Sequence, residues 1–386
     1  MKRMIYITII IIIIMLPKNV HAESNFESTA ILEEQESTFN IKDFLKETEN
    51  YAPDFIKEMD ISNIFKMATT GKVDNEGFFK KVLKLLGSQA KETIKIIVNI
   101  LIIVLIHSLL KSVTDGLESS NVSKVVYYVQ YILIVTIIMA NFADILNSIT
   151  NTIENLAGFS GILIPLLGTL MVFTGNITTT SMIEPILLFL IEFIANFIKS
   201  LVIPMVSIIT VLIIVSKITD KVQINKLASF MKSSIVWTLG IILTLFVGVV
   251  SLEGSLTSSV DGITAKTTKA AVSSLIPVVG KILGDSVDAV LGCGVVLKNA
   301  VGIVGVIIII GICLMPVIKL GTFSIMYSLT ASIIEPLADG KIVKLLDEMG
   351  GIFKLLLAIL CSVSVLLIIG VTLVIKISNS GMMYRW

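Results

Sequence analysis

The chain has 386 residues, of which 55% are hydrophobic and only 15% are charged, and its mean hydropathy is +0.94. Soluble domains contain roughly 45–50% apolar and about 25% charged residues, so this composition argues against a water-soluble enzyme and indicates a protein of the lipid bilayer. It also excludes intrinsic disorder and a disulfide scaffold. The net charge of +1 gives no electrostatic reason to expect nucleic-acid binding.

The N-terminus has the three parts of a secretory signal. Lys2 and Arg3 precede an apolar run over residues 4–16, and Val20-His21-Ala22 offers a cleavage site. This pattern predicts a signal peptide over residues 1–22, because a membrane-spanning helix needs about 20 apolar residues. An uncleaved anchor helix is the alternative. Both interpretations place the following residues outside the cytoplasm.

Residues 23–93 form the one long polar region of the sequence. Acidic residues dominate it as far as Asp60, and two short amphipathic helices are predicted, one near Phe44 and one near Phe79. We expect a short helical region outside the cytoplasm. It either docks a partner there or acts as a solvated spacer, and the sequence favours neither.

Residues 94–386 form a predicted multi-span membrane domain. Backbone polar groups in lipid must be satisfied within the segment, so the apolar runs are predicted to be helices. The expected fold is an all-α polytopic membrane protein with about eight to ten membrane helices, some of them broken by proline or re-entrant. The runs cover residues 94–110, 125–143, 156–174, 182–198, 200–216, 235–252, 299–318, 322–338 and 352–375, with a less apolar run at 271–297.

Lysine positions predict the orientation of this domain. The turn at 144–155 has no Lys or Arg, which suits the extracytoplasmic side, whereas the loop at 217–234 carries four lysines and suits the cytoplasm. Lys319, Lys376 and Arg385 also suit the cytoplasm if the run at 271–297 does not cross the membrane.

The sequence is compatible with an internal duplication. Residues 164–168 resemble residues 276–280, and the same offset relates Pro204 to Pro316. The two halves would be residues 156–252 and 268–375, as in transporters built from repeats. Chance similarity between apolar segments is the alternative, and parallel and inverted repeats are not distinguished.

Three acidic residues lie in or beside the apolar runs: Glu184, Glu192 and Glu335. Ionisable groups in a membrane are costly and often line a pathway or pair with each other. Glu184 and Glu192 are eight residues apart, so they share one helix face. They are candidates for a polar cavity or a subunit contact. The alternative for Glu184 is an interfacial carboxylate near a helix start.

Small residues recur every fourth position between residues 277 and 302. Gly280, Gly284 and Gly292 share this spacing with Asp288, so on a helix they form a narrow stripe that another backbone can approach. Asp285 is spaced to pair with Lys281. The segment is a candidate for a tight helix contact that lines a polar interior or an oligomer seam. Ordinary intramolecular packing is the alternative.

The sequence contains no pattern that supports catalysis, a cofactor or a metal. Apart from His21 in the predicted signal peptide, His107 is the one histidine, which argues against a histidine metal site or a catalytic triad. The three cysteines lie far apart in apolar runs and are expected to be core residues. We therefore expect a protein that is not an enzyme.

The chain resembles the stage III sporulation protein AE family of endospore-forming bacteria. The resemblance covers nearly the whole chain and rests on the predicted signal ending at Ala22, the polar region before the first span and the many-span body. Its most specific part is the segment from Ile276 to Asp288, continued through Gly292-Cys293 to residues 298–302.

This resemblance implies a function that composition does not. Members of the family belong to a complex that links mother cell and forespore, which is thought to act as a channel or feeding apparatus. The chain would be its permease-like subunit in the mother-cell membrane, with residues 23–93 between the two membranes. The implied partners are other proteins of the stage III sporulation A operon, including a separate ATPase, and indirectly stage II sporulation protein Q. The resemblance does not decide whether the chain forms a homo-oligomer. The alternative function is that of an independent secondary transporter for a small solute or ion.

Overall fold

The computed structural model describes the backbone of residues 26–58, 60–70, 87, 91, 93–106, 120–218, 224–275 and 279–383. Side chains are described in the same ranges, apart from isolated positions, several helix ends and the stretch 262–289. The predicted signal peptide at 1–22 lies outside these residues, as does His107. Every described element is a helix, which confirms the all-α class.

The polar N-terminal region contains four short helices. They are α1 (Phe26–Thr38), α2 (Ile41–Thr48), α3 (Asp54–Lys57) and α4 (Ile61–Thr70). An apolar helix, α5 (Thr93–Ile106), follows. The amphipathic helix predicted near Phe44 corresponds to α2, which buries Ile41, Phe44 and Leu45. The second predicted amphipathic stretch, near Phe79, lies outside the described residues.

Five long helices form the body of the protein, and each is long and apolar enough to cross a membrane. The second of the five contains one turn of π-helix between α7 and α8. Their elements are α6 (Ser120–Phe173), α7 (Ile177–Phe197) with the π turn Ile198–Val202 and α8 (Ile203–Ile218), α9 (Asn225–Leu275), α10 (Val279–Ile334) and α11 (Gly340–Met383). The prediction of a polytopic membrane protein is confirmed.

The described residues contain fewer candidate spans than the eight to ten membrane helices expected. The described residues contain five long helices because neighbouring apolar runs are joined: 125–143 with 156–174, 182–198 with 200–216, and 299–318 with 322–338. The polar residues 144–155 between the first two runs include neither Gly nor Pro, so nothing in them ends the helix. The prediction that the polar residues 144–155 form a turn between two helices is therefore wrong.

Proline does not end these helices. Pro165, Pro185 and Pro316 lie inside α6, α7 and α10. Pro204 is the second residue of α8, which begins where the π turn ends. Because proline has no N–H, it cannot donate to the carbonyl four residues before it, and the wider π turn accommodates this defect.

A tight turn reverses the chain between α6 and α7. Gly175 has a positive φ of 83°, a conformation that glycine adopts without steric cost. Its N–H donates to the Val172 carbonyl, and the N–H of Asn176 donates to the Met171 carbonyl. These two bonds are the Schellman pattern that closes a helix end. α7 therefore runs back antiparallel to α6.

Polar contacts define the two ends of the bundle. At the lysine end, Lys217 at the end of α8 lies beside Glu348 of α11. At the asparagine end, Asn176 at the start of α7 contacts Ser378 near the end of α11. The five long helices alternate between these two ends, with α10 and α11 packed most extensively against each other and buried at the centre.

The lysine-based orientation is wrong for the C-terminal part. Lys376 precedes Ile377, which packs against Gly254 of α9 at the asparagine end, so Lys376 and Lys217 lie at opposite ends of the bundle. The reason is the joining of the runs 299–318 and 322–338 into one helix, which removes a crossing.

The N-terminal helices pack on the bundle rather than forming a separate unit. Tyr51 lies against Phe159 of α6, with ring centroids 6.3 Å apart. Ile56 packs against Gly311 of α10, and the Gln35 side chain donates to the Val290 carbonyl at 3.0 Å. These contacts lie on the half of α6 nearer the asparagine end and extend along α10 from that end to its middle.

Candidate functional site

The three predicted membrane acids occupy different environments. Glu184 is half-buried and its carboxylate packs against Gly168 of α6, where the missing side chain leaves room for it. Glu192 is exposed and accepts a hydrogen bond of 2.8 Å from Asn196. Glu335 is exposed just beyond the end of α10.

These acids do not form one site. Glu184 lies near the asparagine end of the bundle, whereas Glu335 follows α10 at the lysine end. Their separation excludes a shared-proton pair between them. For each of the three acids taken separately, a role in lining a pathway or contacting another subunit stays a prediction.

The structure describes the backbone of the predicted glycine segment from residue 279 onwards, but only some of its side chains. The backbone of Gly280, Gly284, Asp285 and Asp288 belongs to α10, but their side-chain environment lies outside the described residues. A methyl group added to Gly292 would meet no atom within 4 Å. The tight-contact role of this segment therefore stays a prediction.

Other glycines of α10 make close helix contacts that the every-fourth-residue pattern of small residues does not predict. A methyl group on Gly294 would lie 2.7 Å from Phe173, and one on Gly305 would lie 2.5 Å from Leu163. Both contacts are with α6, so the absent side chains set the distance between these two helices. Gly294 and Gly305 are eleven residues apart, so they do not belong to a pattern with a small residue at every fourth position.

A polar stripe runs along the outer surface of α6 and α7. Its members are exposed and, apart from the adjacent Glu154 and Asn155, follow one another at three or four positions, which places them on one face. Glu154 of α6 and Lys199, in the π turn, form an ion pair that joins the two parts. The polar stripe consists of Asp144, Asn147, Asn151, Glu154, Asn155, Glu192, Asn196 and Lys199.

The lysine end is held by charges that are largely withdrawn from solvent. The Lys217 ammonium lies 2.7 Å from the Glu348 carboxylate, and Lys232 of α9 reaches the same carboxylate at 3.9 Å. Tyr131 of α6 donates to the Ile214 carbonyl at 2.6 Å. These contacts tie α6, α8, α9 and α11 together.

The asparagine end contains a buried polar cluster around Lys298, which has no exposed surface. Its ammonium donates to Ser378 at 2.6 Å and to Asn379 at 2.7 Å, and the Asn176 amide donates to the same Ser378 hydroxyl at 2.9 Å. The cluster connects the start of α7 with α10 and α11. Lys298 lies in the segment that carries the family resemblance, but nothing in its local sequence predicts this role.

Asp261 of α9 fixes the start of α7. Its two carboxylate oxygens accept the backbone N–H groups of Thr178 and Thr179 at 2.9 and 2.8 Å. The first N–H groups of a helix have no partner within it, and a carboxylate is favoured beside their partial positive charge.

The bundle is closely packed where its interior is described. A cavity between α6, α7 and α11, lined by Ser160, Leu187 and Gly370, has a volume of about 10 Å³, which is room for at most one water molecule. In the described part of the chain, no three His, Cys, Asp or Glu side chains are grouped as metal ligands.

Comparisons with known proteins identify the family. The family model for stage III sporulation protein AE matches residues 59–378. The chain is 30% identical over 291 residues to stage III sporulation protein AE of Bacillus subtilis (strain 168), and the match covers 75% of this chain and 73% of that protein. No solved structure matches the chain. The long match, which spans all five long helices, means that the chain belongs to the stage III sporulation protein AE family.

Proposed function

We propose that this protein is a polytopic, permease-like subunit of the channel complex that connects mother cell and forespore. It acts without catalysis of its own and supports forespore development and late gene expression. The observation that carries the proposal is the family match over residues 59–378, which covers the helical body and most of the contacts described above.

Two structural features support a role within a larger assembly. The polar stripe gives an apolar bundle one surface suited to water or to a protein partner rather than to lipid. The N-terminal helices lie firmly on the bundle, so they extend its surface where a partner outside the cytoplasm would meet it.

The proposed location is the mother-cell membrane around the forespore, with the N-terminal helices in the space between the two membranes. The proposed partners are other proteins of the stage III sporulation A operon, one of them a separate ATPase, and indirectly stage II sporulation protein Q. Any energy for transport would come from that ATPase.

Deletion of the gene in the native host tests the proposal. We expect normal vegetative growth, loss of heat-resistant spores and loss of late forespore gene expression after engulfment. A variant in which the exposed Glu33, Glu34 and Asp43 are changed to lysine should keep the fold but lose co-purifying proteins.

An independent transporter would give a different result. Normal spores together with a nutrient or ion phenotype would contradict the channel-subunit proposal. Unchanged co-purification of the variant with lysine at Glu33, Glu34 and Asp43 would contradict a docking role for the N-terminal helices.

A further inference from the structure

The five long helices are longer than a bilayer is thick. At a rise of about 1.5 Å per residue, the shortest of the candidate spans, Asn225–Asp261, is about 55 Å long. The hydrocarbon core of a bilayer is about 30 Å thick. Only a part of each helix can therefore contact lipid, and the exposed side chains indicate which part.

Contacts at the lysine end bring three helices to one level. The Tyr127 hydroxyl donates to the Lys217 carbonyl at 3.2 Å, and the Lys217 ammonium pairs with Glu348. Positions along α6, α8 and α11 can therefore be counted from this level towards the asparagine end.

On α6 and α8, the surface carries no charge for the thickness of one bilayer from this level. Residues 128–143 of α6 and 201–216 of α8 include no charged residue. The polar stripe begins at Asp144, 17 residues from Tyr127, and at Lys199, 18 residues from Lys217, which is about 26 Å in both helices. Exposed apolar side chains before that limit are Val129, Ile132, Leu133, Leu201, Ile208, Val211, Val215 and Trp237.

The rest of the bundle also exposes apolar side chains, such as Phe189, Leu252 and Leu256, but its charges make it less suited to lipid. A bilayer centred on the middle of the helices would surround Asp144, Glu154, Glu192 and Lys199, and each charged group at such a depth is costly. A bilayer at the asparagine end would surround the N-terminal helices, whose exposed residues include Glu33, Glu34 and Asp43.

Among the described residues of the belt, two lysines interrupt the apolar surface: Lys354 is exposed and Lys319 of α10 is half-buried. Lys354 of α11 lies six residues, or about 9 Å, from Glu348. A lysine can bury its alkyl chain and extend its ammonium towards the nearer membrane surface, so this position is compatible with lipid contact.

The geometry points to an apolar belt next to the lysine end as the lipid-binding surface of this protein. The bilayer ends where the polar stripe begins. The remaining half of the bundle, with α1 to α4 packed on it, projects from the membrane into water. The apolar run 156–174 is then the interior of the projecting half rather than a membrane span.

Two tryptophan positions on α9 test the belt. Trp237 is 74% exposed within the belt, and Leu256, 68% exposed, lies about 28 Å further along the helix. The full chain, with Trp386→Phe, is reconstituted in phosphatidylcholine vesicles with brominated acyl chains. We expect strong quenching of Trp237 and at most weak quenching in the Trp237→Phe, Leu256→Trp variant. Equal quenching of both, or no quenching of Trp237, would overturn the proposal.

Cysteine labelling tests the polar stripe independently. In a background without the three native cysteines, Asn151→Cys should react with a membrane-impermeant maleimide, and the belt control Ile208→Cys should not, although both positions are exposed. Circular dichroism spectra matching the parent chain establish that each variant is folded. If the Asn151→Cys variant is folded by circular dichroism but does not react with the maleimide, the polar stripe does not face water.

Discussion

At the scale of single residues, missing side chains and buried hydrogen bonds position the helices. Gly168 leaves space for the Glu184 carboxylate, and Gly305 lets Leu163 approach the α10 backbone. Lys298 is fully buried, and Ser378 and Asn379 accept its hydrogen bonds. A buried charge without such partners would be strongly unfavourable, so these polar residues are needed where they are.

Alanine substitutions at two glycines of α10 should have different effects on the free energy of unfolding. Gly305→Ala should lower the free energy of unfolding by about 1–3 kcal/mol, because its methyl group would lie 2.5 Å from Leu163. Gly292→Ala should leave it unchanged or raise it by up to about 1 kcal/mol, because the site is open and alanine favours a helix. Thermal unfolding in detergent measures both, and equal destabilisation would contradict the α6–α10 contact.

At the scale of elements, helix continuity and helix ends have different causes. Prolines inside α6, α7 and α10 do not end them, and the polar residues 144–155 do not interrupt α6. The break between α6 and α7 instead depends on the positive φ of Gly175 and on Asp261, which accepts the first N–H groups of α7 from another helix. Boundaries are therefore decided by caps and turns rather than by polarity.

The start of α7 should depend on the Asp261 carboxylate. Asp261→Ala removes the acceptor of two backbone N–H groups and should cost about 1–2 kcal/mol of stability. Ser259→Ala is the control, because that side chain is exposed on the same helix and bonds only within it. Hydrogen exchange at Thr178 and Thr179 should accelerate in the Asp261 variant, and protection equal to the control would rule out the cap.

At the scale of the whole molecule, the N-terminal helices and the five-helix bundle form one packed body. Tyr51, Ile56 and Gln35 contact α6 and α10 directly. The interpretation of residues 23–93 as a free spacer does not fit the part that the structure describes. A partner that binds this region would therefore meet a surface already fixed relative to the membrane.

Attachment of the N-terminal helices should depend on pH through Glu36. Burial, and next the charge of Glu33, raise the pKa of the Glu36 carboxyl above its ordinary value of 4.5. Because the packed state favours the protonated form, attachment should be strongest below pH 4.5 and weaken as pH rises through the raised pKa. Limited proteolysis between α4 and α5 at several pH values measures this, and Glu36→Gln should remove the Glu36 contribution. An identical pH response in that variant would contradict the assignment.

Family and class could be read from the sequence. Composition and long apolar runs determine that the chain is helical, because a backbone in lipid must bond within its own segment. The segment from Ile276 to Asp288 carried the family resemblance, and the match over residues 59–378 confirms the family. The candidate acids were found by residue type alone, which indicates cost in a membrane but not which groups lie together.

Tertiary structure decided what local patterns could not. An apolar residue is favoured equally by lipid and by a protein interior, so the run 156–174 resembles a span although its neighbours are other helices. The polar stripe follows from spacing within α6 and α7, but only their packing makes it one surface, joined by Glu154 and Lys199. The buried partners of Lys298 lie 80 residues away in the chain. Contacts at that separation depend on the complete fold, and local sequence does not encode them.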